Sequence, residues 1–338
     1  MRRELEKVIA KEDLRQEEME QVITLIMEGK ATPAQIAGFL IALRSKGETV
    51  TEITGAARVM RKKAARVKTR RRGLVDLCGT GGDGLNTFNI STTAAFVVAG
   101  AGLPVAKHGN RSVSSSCGSA DVLEELGVNL DLSPEAVGYC LDKIGLGFLY
   151  APVFHRAMKH AVKPRQELGV RTIFNLLGPL TNPAEAEYQL LGVYEEKLTA
   201  PLARVLKNLG VRGALVVHGL EGMDEISIFN KTKITVLRNG EITDSCLDPR
   251  ELGLSAAGLE EIAAGDAAEN AAAVREVLSG KEGPRRDIVL LNAAGALFAA
   301  GRVQDFPQGL KLASRIIDEG LAYKKLQQLI DLSGKLAA

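Results

Sequence analysis

No Cys-x-x-Cys pair occurs in this 338-residue chain; Cys78, Cys117, Cys140 and Cys246 stand far apart. That spacing argues against zinc and fits a reduced, cytoplasmic setting better than a disulfide framework. Among His108, His155, His160 and His218 no pair forms a His-Glu-x-x-His motif, which removes the helical zinc-hydrolase pattern. The longest apolar runs, such as TTAAFVVAGAG, are too short and too glycine-rich to span a bilayer. The charged start MRRELEKVIAKEDLRQEEMEQ lacks the apolar stretch of a signal peptide. An excess of one charge is also missing: the formal net charge is +2, so no global field marks a nucleic-acid binder. The one basic run, RKKAARVKTRRR at 61–72, has no aromatic residue to stack a base. It reads as a solvated helix end and linker, or as a patch that steers an anionic substrate.

What is present is an ordinary soluble composition, 46% hydrophobic and 25% charged, long enough for two domains. Residues 1–65 read as four helices with apolar residues three and four apart, LEKVIAKEDL being the first. In the third, Thr32 is the expected N-cap, Pro33 opens the helix and Gly47 follows its end. From Gly73 short apolar strands alternate with helices: LVDLC, LPVAKHG, LGFLYAP and RGALVVHG are strands, and ITVLRNGEITD is a hairpin turning at Asn239-Gly240. FHRAMKHAVK reads as one helix, with Arg165 at the start of another. The expected architecture is therefore α/β. A small all-helical domain, 1–72, precedes a larger α/β domain, 73–338, with a mainly parallel sheet flanked by helices.

Ligands collect at the carboxyl ends of strands in such a sheet. Four unusual loops fall there: CGTGGDG, KHGNRSVSSSCGSAD, APVFH and HGLEGMDE. Gly79, Gly81, Gly82 and Gly84 leave backbone N–H groups bare, and the next helix adds its positive end near Ser91-Thr92. This chemistry suits phosphate or diphosphate. A loose GxGGxG also fits a dinucleotide or methyl-donor site. However, a dinucleotide site wants a ribose-binding acid about 20 residues on, and residues 85–120 contain no Asp or Glu. They carry Lys107, His108 and Arg111 instead, which seek oxyanions. Asn86, Thr87, Asn89, Ser91 and Thr92 supply the polar density a phosphosugar needs. Asp224-Glu225 would repel phosphate unless Mg²⁺ lies between; the bland reading is a solvated turn. Arg165 is either a surface cation or a fork for a carboxylate. Cys117, beside Gly118, reads as an inert loop cysteine.

Together DLCGTGGDG with NTFNIST, KHGNRSVSSSCGSAD, APVFH, Arg165 before RTIFNLLGPLTNP, and HGLEGMDEIS resemble the anthranilate phosphoribosyltransferases, nearly end to end. The resemblance implies Mg²⁺-dependent transfer of phosphoribose from phosphoribosyl pyrophosphate (PRPP) to anthranilate in tryptophan biosynthesis. By the resemblance, PRPP is held by Gly79, Gly82, Asp83, Thr87, Asn89, Ile90, Ser91 and Thr92. Lys107, His108, Gly109, Asn110, Arg111, Ser112, Val113, Ser114, Ser115 and Ser119 complete that pocket. Ser91 holds one Mg²⁺, and Asp224 with Glu225 a second. Gly79, Asn110 and Arg165 contact anthranilate, and Ala151, Pro152, His155, Met158 and Gly178 line its route in. The resemblance also implies a homodimer through the helical domain and a segment 165–188 that packs back toward it. No nucleic acid or membrane partner is expected. No general base is expected to be indispensable, Lys107 and His108 being the catalytic candidates. The rivals are a pyrimidine nucleoside phosphorylase of the same architecture, a dinucleotide- or methyl-donor enzyme, and a nucleic-acid-binding module.

Overall fold

The structure is a computed structural model, and it describes residues 1–112, 117–254 and 258–336. Helices α1(Arg2–Ile9), α2(Gln16–Met27), α3(Pro33–Lys46) and α4(Val50–Lys63) form the bundle. The first is shorter than its apolar pattern: it ends at Ile9, and the chain turns through Lys11 at φ 60°. In α3 the Thr32 hydroxyl accepts from the Gln35 amide, and the Gln35 side chain accepts from the Thr32 amide. This reciprocal cap and Gly47 at φ 93° bound the helix. Glu52, wholly buried, closes the same kind of cap on α4. It also accepts from the Leu14 amide at 2.9 Å and from Lys46 at 3.0 Å.

The second part runs β1(Val75–Gly79), α5(Ile90–Gly100), β2(Val105–Gly109), α6(Ser119–Glu125), α7(Pro134–Ile144), β3(Leu146–Tyr150) and α8(Ala151–Phe154). It continues with α9(Lys159–Leu168), α10(Ile173–Leu180), β4(Tyr188–Gly192), α11(Thr199–Asn208), β5(Gly213–Gly219), β6(Thr232–Arg238) and β7(Glu241–Leu247). Helices α12(Ala267–Leu278), α13(Pro284–Ala299), α14(Phe306–Asp318) and α15(Leu321–Leu336) close the chain. The seven strands form one sheet in the order β3-β2-β1-β4-β5-β6-β7. Pairings up to β5 are parallel; the hairpin β6–β7 is antiparallel and turns at Asn239 and Gly240, both at positive φ. The chain winds outward from β1 to β3, then returns to β4 on β1's other side. That reversal leaves a crevice at the carboxyl ends of β1 and β4.

Three elements depart from the sequence reading. FHRAMKHAVK is not one helix: α8 and α9 are separated by a single turn at 156–158. Arg165 lies in the last turn of α9 rather than at a helix start, because α9 runs through Pro164. Strand β4 was hidden by its polar start, Tyr188-Gln189, yet it pairs with both β1 and β5.

Most of the basic run is exposed, as a solvated helix end and linker would be, but two of its arginines are engaged. Arg61 donates to the carbonyls of Leu180 and Leu209, and Arg71 to those of Leu141 and Asp142. These carbonyls end α10, α11 and α7, where cations are favoured. One apolar cluster joins Phe39 and Leu43 of the bundle to Ile173 and Leu177 of α10 and to Leu191 and Val216 of the sheet.

Glu52→Ala strips a buried carboxylate from Lys46, from the α4 cap and from the Leu14 amide. Loss of about 3 kcal/mol is expected, since breaking a buried pair leaves an uncompensated charge; urea denaturation of both proteins measures it.

Candidate active site

The crevice is built around one side chain. Gly79 and Gly192 are register partners at the ends of β1 and β4, and a Cβ on either would overlap Asp224. Two glycines therefore admit an acid between the central strands. The turn after β5 delivers it: the Gly219 amide donates to the Met223 carbonyl at 2.8 Å, with Gly222 at φ 108°. Asp224 Oδ2 then accepts from the Gly81 amide at 2.7 Å. Glu225 Oε1 accepts from the Ser91 amide, at the start of α5, at 3.1 Å. Carboxylate oxygens thus sit on two of the amides that the sequence assigns to a phosphate. Burial raises both acids above the usual carboxylate range, and each is pushed further by a neighbour, Asp83 for Asp224 and Asp224 for Glu225.

Lys107 supplies the opposing charge. Only 4% exposed, it donates to the Leu77 carbonyl at 2.6 Å and to Ser91 Oγ at 3.3 Å. Burial pulls its pKa down and nearby Asp76 opposes this. Asp76 is wholly buried; it accepts from Asn182 at 2.7 Å and from the His108 amide at 3.1 Å. It anchors β1, β2 and the chain after α10 beneath the site.

On the other side of β2 lie His108 and His155, their ring centroids 5.0 Å apart. Burial lowers His108 to about 3 and His155 to about 4. The Nε2 atom of each is buried without a partner among the described residues. Gly178 has open space where a side chain would stand. The half-buried Arg165 guanidinium packs 5.3 Å from the Phe174 ring centroid and has no hydrogen bond or acid among the described residues. Burial lowers its pKa. Ala151, Pro152 and Met158 flank His155 on α8 and the turn after it.

Other expected residues are spread around the rim. Phe88 and Asn89 are pinned from outside, their amides donating to Ile262 and to Asn270 Oδ1, while Thr87 bridges Ala263. The side-chain oxygens of Asn89 and Thr92 are buried and have no hydrogen-bond partner among the described residues. Arg111 is not a free cation: its guanidinium is engaged by Glu124, Asp121 and the Tyr150 hydroxyl. The acid that residues 85–120 lack stands just beyond them, at Asp121, and satisfies that arginine. The amides of Ser112 and Gly118 donate to the same Asp121. Asn110 accepts from the Ala120 amide and the Ser119 hydroxyl through its carbonyl. Val113, Ser114 and Ser115 lie outside the described residues. Burial raises the Cys117 thiol to about 11, which makes it unreactive.

Sequence reasoning missed Asp76, Asn182, Gly192 and Arg171. An aspartate inside the apolar run LVDLC was the available signal for the first; no local pattern marks the others.

This fold and site define a two-part glycosyltransferase. Residues 3–64 match the model of the glycosyl transferase family helical bundle domain, and residues 71–323 that of the glycosyl transferase family a/b domain. The chain is 57% identical to an anthranilate phosphoribosyltransferase of Symbiobacterium thermophilum, covering 99% of this chain and 98% of that one. It is similar to the crystal structure of the Thermus thermophilus enzyme, at 45% identity, TM-score 0.93 and 99% of each chain. The Saccharomyces cerevisiae enzyme in complex with PRPP and Mg superposes with TM-score 0.90 at 29% identity, over 98% of this chain and 97% of that one. The chain belongs to the anthranilate phosphoribosyltransferase family.

The two imidazoles stay neutral in the native protein while unfolded histidine protonates below about 6.5. The unfolded state then binds more protons, so stability falls with pH through the window from 6.5 toward 4 and 3. By pH 5 about 2 kcal/mol is lost per histidine. Urea midpoints at pH 7 and pH 5 should differ less in a His108→Asn, His155→Asn double variant than in the parent.

Proposed function

We propose that the chain transfers phosphoribose from PRPP to the amine of anthranilate, releasing pyrophosphate, as a Mg²⁺-dependent step of tryptophan biosynthesis. The observation that carries this reading is the placement of an acid pair and a buried lysine against the amides of a glycine loop at the sheet's reversal point. Such a cage suits a diphosphate accompanied by a divalent cation and would repel a bare anion.

The donors fit Mg²⁺. Asp224, Glu225 and the Ser91 hydroxyl are hard oxygen ligands. Among the described residues no group of three or more His, Cys, Asp or Glu could hold a metal, which suits an ion that completes its shell with substrate oxygens and water. Two Mg²⁺, when bound, would neutralise charge on the departing diphosphate. The loop amides and Lys107 stabilise the same charge as the C1–oxygen bond breaks and its electron pair leaves with pyrophosphate. Gly79, Gly82, Asp83, Thr87, Asn89 to Thr92 and Lys107 to Ser112, with Ser119, would surround the phosphosugar.

Arg165, without a hydrogen-bond partner among the described residues, takes the anthranilate carboxylate in a fork, and Asn110 and Gly79 complete that contact. The amine is thereby aimed at C1 from the face opposite the leaving group, and the configuration inverts. Orientation of this kind lowers a barrier by about 7–11 kcal/mol in favourable cases. The arylamine passes its proton to water or to the departing pyrophosphate only as the new C–N bond forms, so no side chain must abstract it first. His108 and His155, held neutral, line the route with Ala151, Pro152, Met158 and Gly178.

The free cysteines fit a cytoplasmic enzyme, and no described helix is long and apolar enough to cross a membrane. A homodimer through the helical domain is supported by exposed apolar residues. Ile9, Ile41, Val162 and Val170 are 65%, 37%, 42% and 45% exposed, on or beside α1, α3 and α9, which pack on one another.

Anthranilate fluorescence should fall only when PRPP and Mg²⁺ are both supplied, with no phosphate-dependent cleavage of thymidine. Arg165→Glu should raise the KM for anthranilate at least about tenfold, as loss of a charged hydrogen-bond partner does, and leave that for PRPP within about twofold. Equal effects on both would remove Arg165 from the carboxylate. Sedimentation should report a dimer that Ile9→Glu with Val162→Glu converts to monomer.

A further inference from the structure

Between α9 and α10 the chain passes through Arg171, a half-buried residue outside the four loops. Its guanidinium donates to the carbonyl of Gly82 in the glycine loop. The same group stacks on Tyr194, 4.1 Å from the ring centroid. Tyr194 is tied to the loop as well, its amide donating to Thr80 Oγ1 at 3.1 Å. The backbone carbonyl of Arg171 accepts from Arg44 of α3 at 2.6 Å. One residue thus touches the glycine loop, the chain after β4 and the helical domain.

The direction of the first contact has a chemical consequence. A trans peptide is planar, so its C=O and N–H point opposite ways. With the Gly82 carbonyl drawn to Arg171, the Asp83 N–H points away from Arg171. Gly81, Gly82 and Gly84 lie at φ 67°, 80° and 77°, where glycine resists peptide rotation least. Among the described residues, the bond seen on the Gly82–Asp83 peptide itself is the one from Arg171. A charged donor on one carbonyl biases the peptide's orientation by about tenfold to a hundredfold. Stacking on Tyr194 fixes the plane of the donor, which a lysine could not reproduce.

We infer that Arg171 is a positioning residue for the transfer reaction: it orients the Gly82–Asp83 peptide so that the glycine loop presents an N–H to the diphosphate. Through Arg44 and α10 it also links that loop to the helical domain and to the acceptor side. The inference rests on the reading that residues 79–92 hold the diphosphate.

Calorimetric titration of PRPP with Mg²⁺, without anthranilate, tests it. Arg171→Gln should weaken PRPP binding about tenfold or more and change the anthranilate KM less than about twofold. Arg171→Lys should recover only part of the affinity. Tyr194→Leu should weaken binding in the parent and add little in the Arg171→Gln background. The ¹⁵N–¹H signal of Asp83 should shift in Arg171→Gln before any ligand is added. Unchanged PRPP affinity in Arg171→Gln, while Gly82→Ala and Lys107→Met weaken it, would overturn the inference and leave the loop reading intact. Equal loss of affinity for both substrates would overturn it too, as the mark of a general structural role. Unchanged affinity in Gly82→Ala and Lys107→Met would overturn the loop reading, and the inference with it.

Discussion

Two carboxylates pressed against backbone amides at the reversal point of a parallel sheet set the terms for the rest of the molecule. Asp224 can enter only because Gly79 and Gly192 lack side chains, and it is held there by the Gly81 amide. Glu225 sits on the opening turn of α5, where a helix favours negative charge. Such groups are costly to bury, and the cost appears as carboxyls raised well above their ordinary range. Two acids held in this way beside the buried Lys107 are the arrangement on which the proposed Mg²⁺–diphosphate site rests.

The layer beneath explains how the site stays rigid. Lys107 reaches across to the Leu77 carbonyl and Ser91, so β1, β2 and α5 share one ammonium group. Asp76 and Asn182 join the opposite face of the same strands. Gln189 adds a contact from β4, donating to the Pro179 carbonyl at 2.7 Å. Buried polar groups of this kind stay in place because every displacement leaves one of them unpaired. They hold the loops above them in register.

The helical bundle belongs to the same construction. Its apolar core continues into α10 and the sheet, and arginines from the end of α4 and from the connecting segment cap helices of the larger part. Arg44 reaches the stretch that carries Arg171. The proposed acceptor side, with Arg165 on α9 and Gly178 on α10, is therefore carried by helices that pack on the bundle. The proposed leaving-group side is carried by the sheet, and the contacts of Arg171 cross between them.

Much was legible in the chain itself. Helix caps at Thr32, the turn at Asn239-Gly240 and the alternation of strands and helices are local events, governed by residues a few positions apart. The glycine loop and Asp224-Glu225 were legible for the same reason: unusual residue types cluster in short runs. Strand β4 and the roles of Asp76, Gly192 and Arg171 were not. Nothing near Gly192 says that an acid from 32 residues later must pass over it. Nothing near Arg111 says that Glu124 and Asp121 neutralise it, and nothing near Arg71 says that it ends a helix. Local chemistry thus determined which groups this protein offers to a ligand. Tertiary packing alone decided which of them remain unpaired and face one another, because partners distant in the chain meet only when the sheet closes.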